Sequence, residues 1–287
     1  MTDWHIESFF DRATGTFSYV VADLTNQVCA VIDSVLNYDQ DAGKISTESA
    51  DEIIRYIDDQ QLTNLWLLET HIHADHITAT HYLKPRIGGR TAIGSGIKQV
   101  LPMWIPVFNT AANTPADASQ FDQLFDDGDV FQIGQLNAKV MLTPGHTPAC
   151  ASYLIRDAVF VGDTLFAPQS GTARVDFPGG SAQSLYDSIQ RLYALPDRTR
   201  VFLCHDYPDE DAAPCNQMLL KEHKENNRML NAQTSLATFV ERRLQRDGQL
   251  SVPKLILPSI QANMRLGDLG EPDDNGIRYL RIPLNQL

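Results

Sequence analysis

The six residues His71-Ile72-His73-Ala74-Asp75-His76 carry three imidazoles and a carboxylate. Neutral imidazole nitrogens and an ionised carboxylate are ligands for a borderline divalent metal such as zinc or ferrous iron. A single histidine in a polar loop is more simply a group satisfied by water or a neighbour. Four donors at this spacing point instead to a metal site. The stretch follows the apolar run Leu62–Leu68, which reads as a buried strand. A strand opening into a loop turns side chains at adjacent and alternate positions toward one point.

Three later segments repeat that arrangement. Val140-Met-Leu-Thr-Pro-Gly-His146 is an apolar run ending in a Pro-Gly turn that presents His146. Ala158-Val-Phe-Val-Gly-Asp163 is a short strand pattern ending on Asp163, and Val201-Phe-Leu-Cys-His205 delivers His205, then Asp206 and Tyr207. Each donor stands just past the carboxyl end of an expected strand, where a layered α/β sheet gathers functional side chains. The spacing predicts a metal centre at one sheet edge.

Taken in this order, His71-x-His73-x-Asp75-His76, His146, Asp163 and His205 resemble the metallo-β-lactamase superfamily. The resemblance covers the chain as far as His205-Asp206-Tyr207 and implies an α/β fold, a four-layered αββα sandwich with metal at one edge. It leaves the reaction open, because this scaffold hosts hydrolases, nucleases and oxidoreductases alike.

Four segments narrow it. Glu69–His76, Gly162-Asp-Thr-Leu-Phe166, Gly171-Thr-Ala-Arg-Val-Asp-Phe177 and Cys204-His-Asp-Tyr207 resemble the persulfide dioxygenases, also called sulfur dioxygenases. Leu257-Pro-Ser-Ile-Gln-Ala-Asn-Met-Arg265 and Asp274-Asn-Gly276 resemble a bacterial branch of that family, so the likeness extends over nearly the whole chain. It implies one Fe(II) per chain held by His71, His146 and Asp163, and oxidation of glutathione persulfide by O2 and water to sulfite and glutathione. His73, Asp75, His76 and His205 then surround the iron or serve a second metal. His205 and Tyr207 are expected near the reacting atoms. Arg174 is expected to pair with a glutathione carboxylate through its forked guanidinium, although its spacing also suits a structural salt bridge with Asp176. Lys224, Arg228 and Arg265 are further candidates for the substrate pocket, with solvent exposure the ordinary fate of such side chains.

The runner-up is a glyoxalase II-like hydrolase with two zinc ions bridged by Asp163 and a shared hydroxide attacking a glutathione thioester. Those hydrolases carry Thr-x-Gly-His where this chain reads Thr147-Pro-Ala-Cys150, a departure that fits the dioxygenases. A non-enzymatic sulfur carrier would have to rest on Cys150 and Cys204.

Bulk properties set wider bounds. A chain of 287 residues can bury a substantial core as one α/β domain. A formal net charge of −13 argues against nucleic-acid binding and requires a local basic pocket for any anionic substrate. Cys29, Cys150, Cys204 and Cys215 form no C-x-x-C pair and are expected to be buried. No secretion signal and no apolar run of membrane-spanning length is visible, so a cytoplasmic enzyme without membrane contact is expected. A homodimer is compatible with all of this.

The elements that must position these donors are also legible. Phe17–Val21 and Val28–Ile32 flank a turn near Asn26 as a hairpin, and Thr47–Asp59 has helical spacing. Ile77–Lys84 reads as a short helix stopped by Pro85, its N-terminus directed at the metal loop. Residues 95–127, with Pro102, Pro106 and Pro115, read as an irregular surface insertion or lid, with a packing loop as ready an explanation as substrate gating. Ser181–Leu195 is an amphipathic helix. From 211 to 246 two more helices are expected with a break near 232, opening a helical and extended C-terminal extension of a single domain spanning 1–287.

Overall fold

Apolar side chains at alternate positions build two six-stranded sheets in the computed structural model, which describes residues 3–209 and 212–286. In spatial order the first holds Trp4–Asp11, Thr16–Asp23, Val28–Ile32, Thr63–Leu68, Arg90–Gly94 and Gln123–Phe125. Its first three strands are antiparallel and contain the expected hairpin, with Tyr19 opposite Ile32; the remaining steps are parallel. The second sheet holds Val130–Ile133, Leu136–Leu142, Ala151–Ile155, Ala158–Phe160, Arg200–Phe202 and Gln217–Leu219. Only its step from Ala158–Phe160 to Arg200–Phe202 is parallel.

The inner faces of the sheets meet through Phe17, Tyr19, Val21, Ile32 and Leu68 on one side and Val140, Tyr153, Phe160 and Phe202 on the other. Each such side chain contributes roughly 1.5–3 kcal/mol on leaving water. Helices Glu48–Asp59 and Thr80–Ile87 cover the outer face of the first sheet, setting Ile53, Ile57 and Leu83 against Val20, Val31 and Leu67. Helices Ala182–Tyr193, Leu220–Asn226 and Leu236–Asp247 cover the second, setting Leu185, Ile189 and Phe239 against Val159 and Val201. The order of layers is αββα, as expected. A small ribbon of Lys44–Ser46, Val35–Asp39 and Ile77–Thr78 sits beside them. Among the described residues no helix is long and apolar enough to cross a membrane.

Three expectations change. Ile77–Thr78 pairs with Leu36 and Val35 as a strand, and the helix begins only at Thr80 and runs through Pro85 to Ile87. Its first-turn amide at His81 is taken by Leu266 O. Residues 97–108 form a packed helix rather than an irregular lid, burying Ile97, Leu101, Trp104 and Phe108. Pro102 and Pro106, four apart, lie exposed on its outer side, so the carbonyls they leave unpaired can reach water. Cys29, Cys150 and Cys204 are buried, but Cys215 is exposed. The two C-terminal helices start at Leu220 and Leu236; residue 211, where the first was expected to begin, lies outside the described residues.

Candidate metal centre

Four strand ends deliver the donors. Thr63–Leu68 leads to His71, His73, Asp75 and His76, Leu136–Leu142 to His146, Ala158–Phe160 to Asp163, and Arg200–Phe202 to His205. The Pro144-Gly145 turn before His146 needs its glycine: Gly145 has φ +147° and presses on the Leu185 backbone, leaving no room for a Cβ.

All five imidazoles are buried and share one pattern: one nitrogen is held by the protein and the other is left open. Nδ1 of His71 meets Thr70 Oγ1 at 3.0 Å, and Nδ1 of His146 donates to Arg174 O at 2.8 Å. Nδ1 of His76 lies 3.4 Å from Asp75 and 3.5 Å from Thr16, and Nδ1 of His205 lies 3.3 Å from Gly15 O. His73 is reversed, with Nε2 held 3.1 Å from Asp33 and Nδ1 open. His71 Nε2, His73 Nδ1, His76 Nε2, His205 Nε2 and Asp163 Oδ1 are buried without a hydrogen-bond partner. Buried polar atoms are rarely left so. Cations held among them would satisfy these atoms, and the rear contacts fix each tautomer as metal sites require.

Asp163 stands between the donors. Its Oδ2 lies 3.7 Å from both His71 Nε2 and His146 Nε2, while Oδ1 lies 3.2 Å from His205 Nε2. His71, His146 and Asp163 form one compact candidate cluster, and His73, Asp75 and His76 form another. Asp75 Oδ2 reaches His205 Nε2 at 3.3 Å. Burial raises the Asp163 carboxyl, but His205, His71 and His146 more than offset it and hold the group well below the usual carboxylate range. Burial, helped by neighbouring His73, keeps His71 neutral and ready to donate a lone pair. These residue types fit zinc or ferrous iron.

The geometry agrees with wider comparisons, in which a family model of the metallo-beta-lactamase superfamily matches residues 11–205. The chain belongs to the metallo-beta-lactamase superfamily. It is 45% identical to "Glyoxylase B2" of Dictyostelium discoideum, covering 98% of this chain and 97% of that protein. It is 46% identical to "Probable metallo-hydrolase BURPS1710b_2304" of Burkholderia pseudomallei, covering 98% and 99%. Human mitochondrial "Persulfide dioxygenase ETHE1" is 26% identical over 91% of this chain and 88% of that one. The crystal structure of ETHE1 from Myxococcus xanthus superposes with a TM-score of 0.74 at 30% identity, covering 92% of this chain and all of that one.

The centre opens outward into a cavity of about 340 Å³. His146, Asp163, His205, Asp75 and Tyr207 line it, with Phe166, Phe177 and Met229 as an apolar wall and Arg174, Arg228, Arg243 and Arg246 as cations. Tyr207 stacks parallel to His205 at 6.0 Å and is 70% exposed. Arg174 reaches the cavity, but both arms of its fork are on Asp176 at 2.6 and 2.7 Å and its Nη1 donates to Ser251 O. The salt bridge that its spacing allowed is therefore formed. Lys224 is not brought to the cavity: it pairs with Asp197 at 2.6 Å on the second sheet's helical side. Arg265 is also elsewhere, donating to Asp268 O and Asn113. Of those three basic candidates only Arg228 lines the wall.

Several supporting residues were missed. Arg243 and Asp247 pair at 2.6 Å, buried, and brace the segment that receives His146: Arg243 donates to Thr172 O and Val175 N donates to Asp247. At i, i+4 on a polar helix they read as a solvated ion pair. Asp33, 3.1 Å from His73 Nε2, had no sequence signal beyond its place at a strand end, and Glu69, at 3.4 Å, stood only as the first residue of the Glu69–His76 segment.

Proposed function

We propose that this protein is an iron-dependent persulfide dioxygenase, converting glutathione persulfide, O2 and water into glutathione, sulfite and two protons. The observation that carries the reading is the His71–His146–Asp163 triad opening onto an arginine-lined cavity. Two imidazoles and one carboxylate on one face are the pattern of non-haem ferrous oxygenases. The persulfide dioxygenase name of the human relative and the ETHE1 structural match support it. So does Thr147-Pro-Ala-Cys150, which lacks the extra histidine of the related hydrolases. Bound ferrous iron would supply the redox chemistry toward dioxygen that side chains lack.

The remaining work falls to the protein. Arg228 and Arg246 offset the −13 field where a thiol peptide brings its carboxylates. Phe166, Phe177 and Met229 keep water from the persulfide end. Asp75 and His205, joined at 3.3 Å, are placed to orient the water that releases sulfite. The substrate is a soluble thiol, and the proposed setting is the cytoplasm.

One observation favours a second reading. Imidazoles of His71, His146 and His205 around a shared Asp163, with those of His73 and His76 beside Asp75, also suit two zinc ions and hydrolysis of a glutathione thioester, consistent with the glyoxylase and metallo-hydrolase names of two relatives. Metal analysis of anaerobically purified protein, paired with oxygen uptake on adding glutathione persulfide, separates the two. One iron per chain, oxygen consumed and sulfite formed is the expected result. Two zinc ions, no uptake and thioester cleavage would overturn it.

A further inference from the structure

We propose that Asn263 is a positioning residue of the metal centre, holding the donor loop in the shape that presents its ligands. Residues 71–76 have no regular secondary structure, and among the described residues none of them makes a backbone–backbone hydrogen bond. Buried backbone carbonyls without partners are costly, so something else must fix this loop. Asn263 does so from the far end of the chain. Its Nδ2 donates to His73 O at 2.9 Å and to His76 O at 2.8 Å, while its Oδ1 accepts from Thr78 N at 2.9 Å.

One buried amide thus spans both histidines of the second donor cluster and the strand that follows. Asn is the side chain that can do this, with two donors and an acceptor on a short stem. The helix carrying it, Ile256–Asn263, is seated by other close contacts. His81 N donates to Leu266 O, and Gly267, at φ +86°, packs so tightly on Thr78 O that no Cβ fits. The Leu257–Arg265 segment, which marks a family branch in the sequence, therefore acts as a strut beneath the ligands. The proposal depends on a metal centre and not on which reaction runs there.

The test uses full-length protein loaded with cobalt(II), whose visible spectrum reports ligand geometry. Asn263→Ala removes all three bonds, and Asn263→Asp keeps the acceptor but sets a carboxylate oxygen against two carbonyls. Gln261→Ala, on the same helix, breaks only contacts to Leu257 O one turn back and to Arg281 of the tail, and serves as the reference. Both Asn263 variants are expected to shift the cobalt spectrum and to speed metal release to a chelator about 10- to 100-fold. The melting-temperature gain on adding cobalt should shrink with them, and Gln261→Ala should match the wild type in all three. If the Asn263 variants lower only the metal-free melting temperature, leaving spectrum and release rate unchanged, the residue is merely structural and the proposal fails. Equal effects from Gln261→Ala would also overturn it. Should Asn263→Ala not fold, Asn263→Asp alone decides, since it preserves shape and the Thr78 contact.

Discussion

Six histidines of this chain are buried, and they fall into two regions that handle unpaired nitrogen in opposite ways. At the sheet edge, five imidazoles each keep one nitrogen on a protein partner and leave the other open beside Asp163 or Asp75. Under the helices of the second sheet, His223 is 0% exposed and neither ring nitrogen has a partner. Orphaned atoms clustered around carboxylates call for a cation. His223 is simply neutral: burial pushes it down to about 4, outweighing the opposing pull of the Glu222 carboxylate. An unsatisfied donor therefore signals function only in company, and a buried histidine alone carries none.

The sharpest way to break that contrast is to remove edge ligands one at a time. His71→Ala takes a ligand from the proposed triad and should cut turnover about 1000-fold or more, through lost metal. His76→Ala removes an open nitrogen from the other cluster and should cost only about 10- to 100-fold if one ion is held at the triad. Metal content and oxygen uptake of both variants check this. Equal, near-complete losses would mean that both clusters hold metal, moving the centre to the two-ion reading.

His223 sharpens the comparison from the other side. Its pKa falls from 6.5 in the unfolded chain to about 4 when folded, so the unfolded state binds the proton first. The folded state therefore keeps its full stability above pH 6.5 and loses it as pH drops toward 4, by up to about 3 kcal/mol. Replacing His223 by Leu removes this loss. Urea unfolding of the metal-free wild type and variant at pH 7 and pH 4.5 measures it. The edge histidines titrate alike in both proteins, so an unchanged pH difference would place a partner against His223 that burial alone does not provide.

The two regions also differ in how far the sequence reveals them. His71, His73, Asp75 and His76 are legible because they lie within six residues, and His146, Asp163 and His205 because each follows its own apolar strand. What holds them is not legible, because it depends on contacts distant in sequence: Asn263 is 190 residues from His73, and Thr172 is 71 from Arg243. The helix at 97–108 was hidden for a different reason. Proline reads as a breaker, and only the packed structure shows Pro102 and Pro106 exposed on one outer side. Arg174 was recognised as a pocket residue, but its partner was decided by proximity to Asp176, two positions away and within reach before any substrate arrives.

The smallest expected effect follows from that partner. Arg174 is occupied by Asp176 and Ser251, whereas Arg246 lines the same cavity and makes no hydrogen bond or ion pair with its side chain among the described residues. A cation already committed gains little from a substrate carboxylate, while a free one gains a charge-assisted bond. Arg246→Ala should therefore raise KM for glutathione persulfide roughly 10-fold, about 1.4 kcal/mol, with kcat nearly unchanged, because the contact is remote from the reacting sulfur. Arg174→Ala should instead lower kcat, because Arg174 O receives His146 Nδ1 and its side chain anchors that segment to Ser251. Steady-state oxygen uptake on both variants reads the split directly. A KM effect confined to Arg174→Ala would return the carboxylate to Arg174 and mean that the Asp176 pair opens when substrate binds.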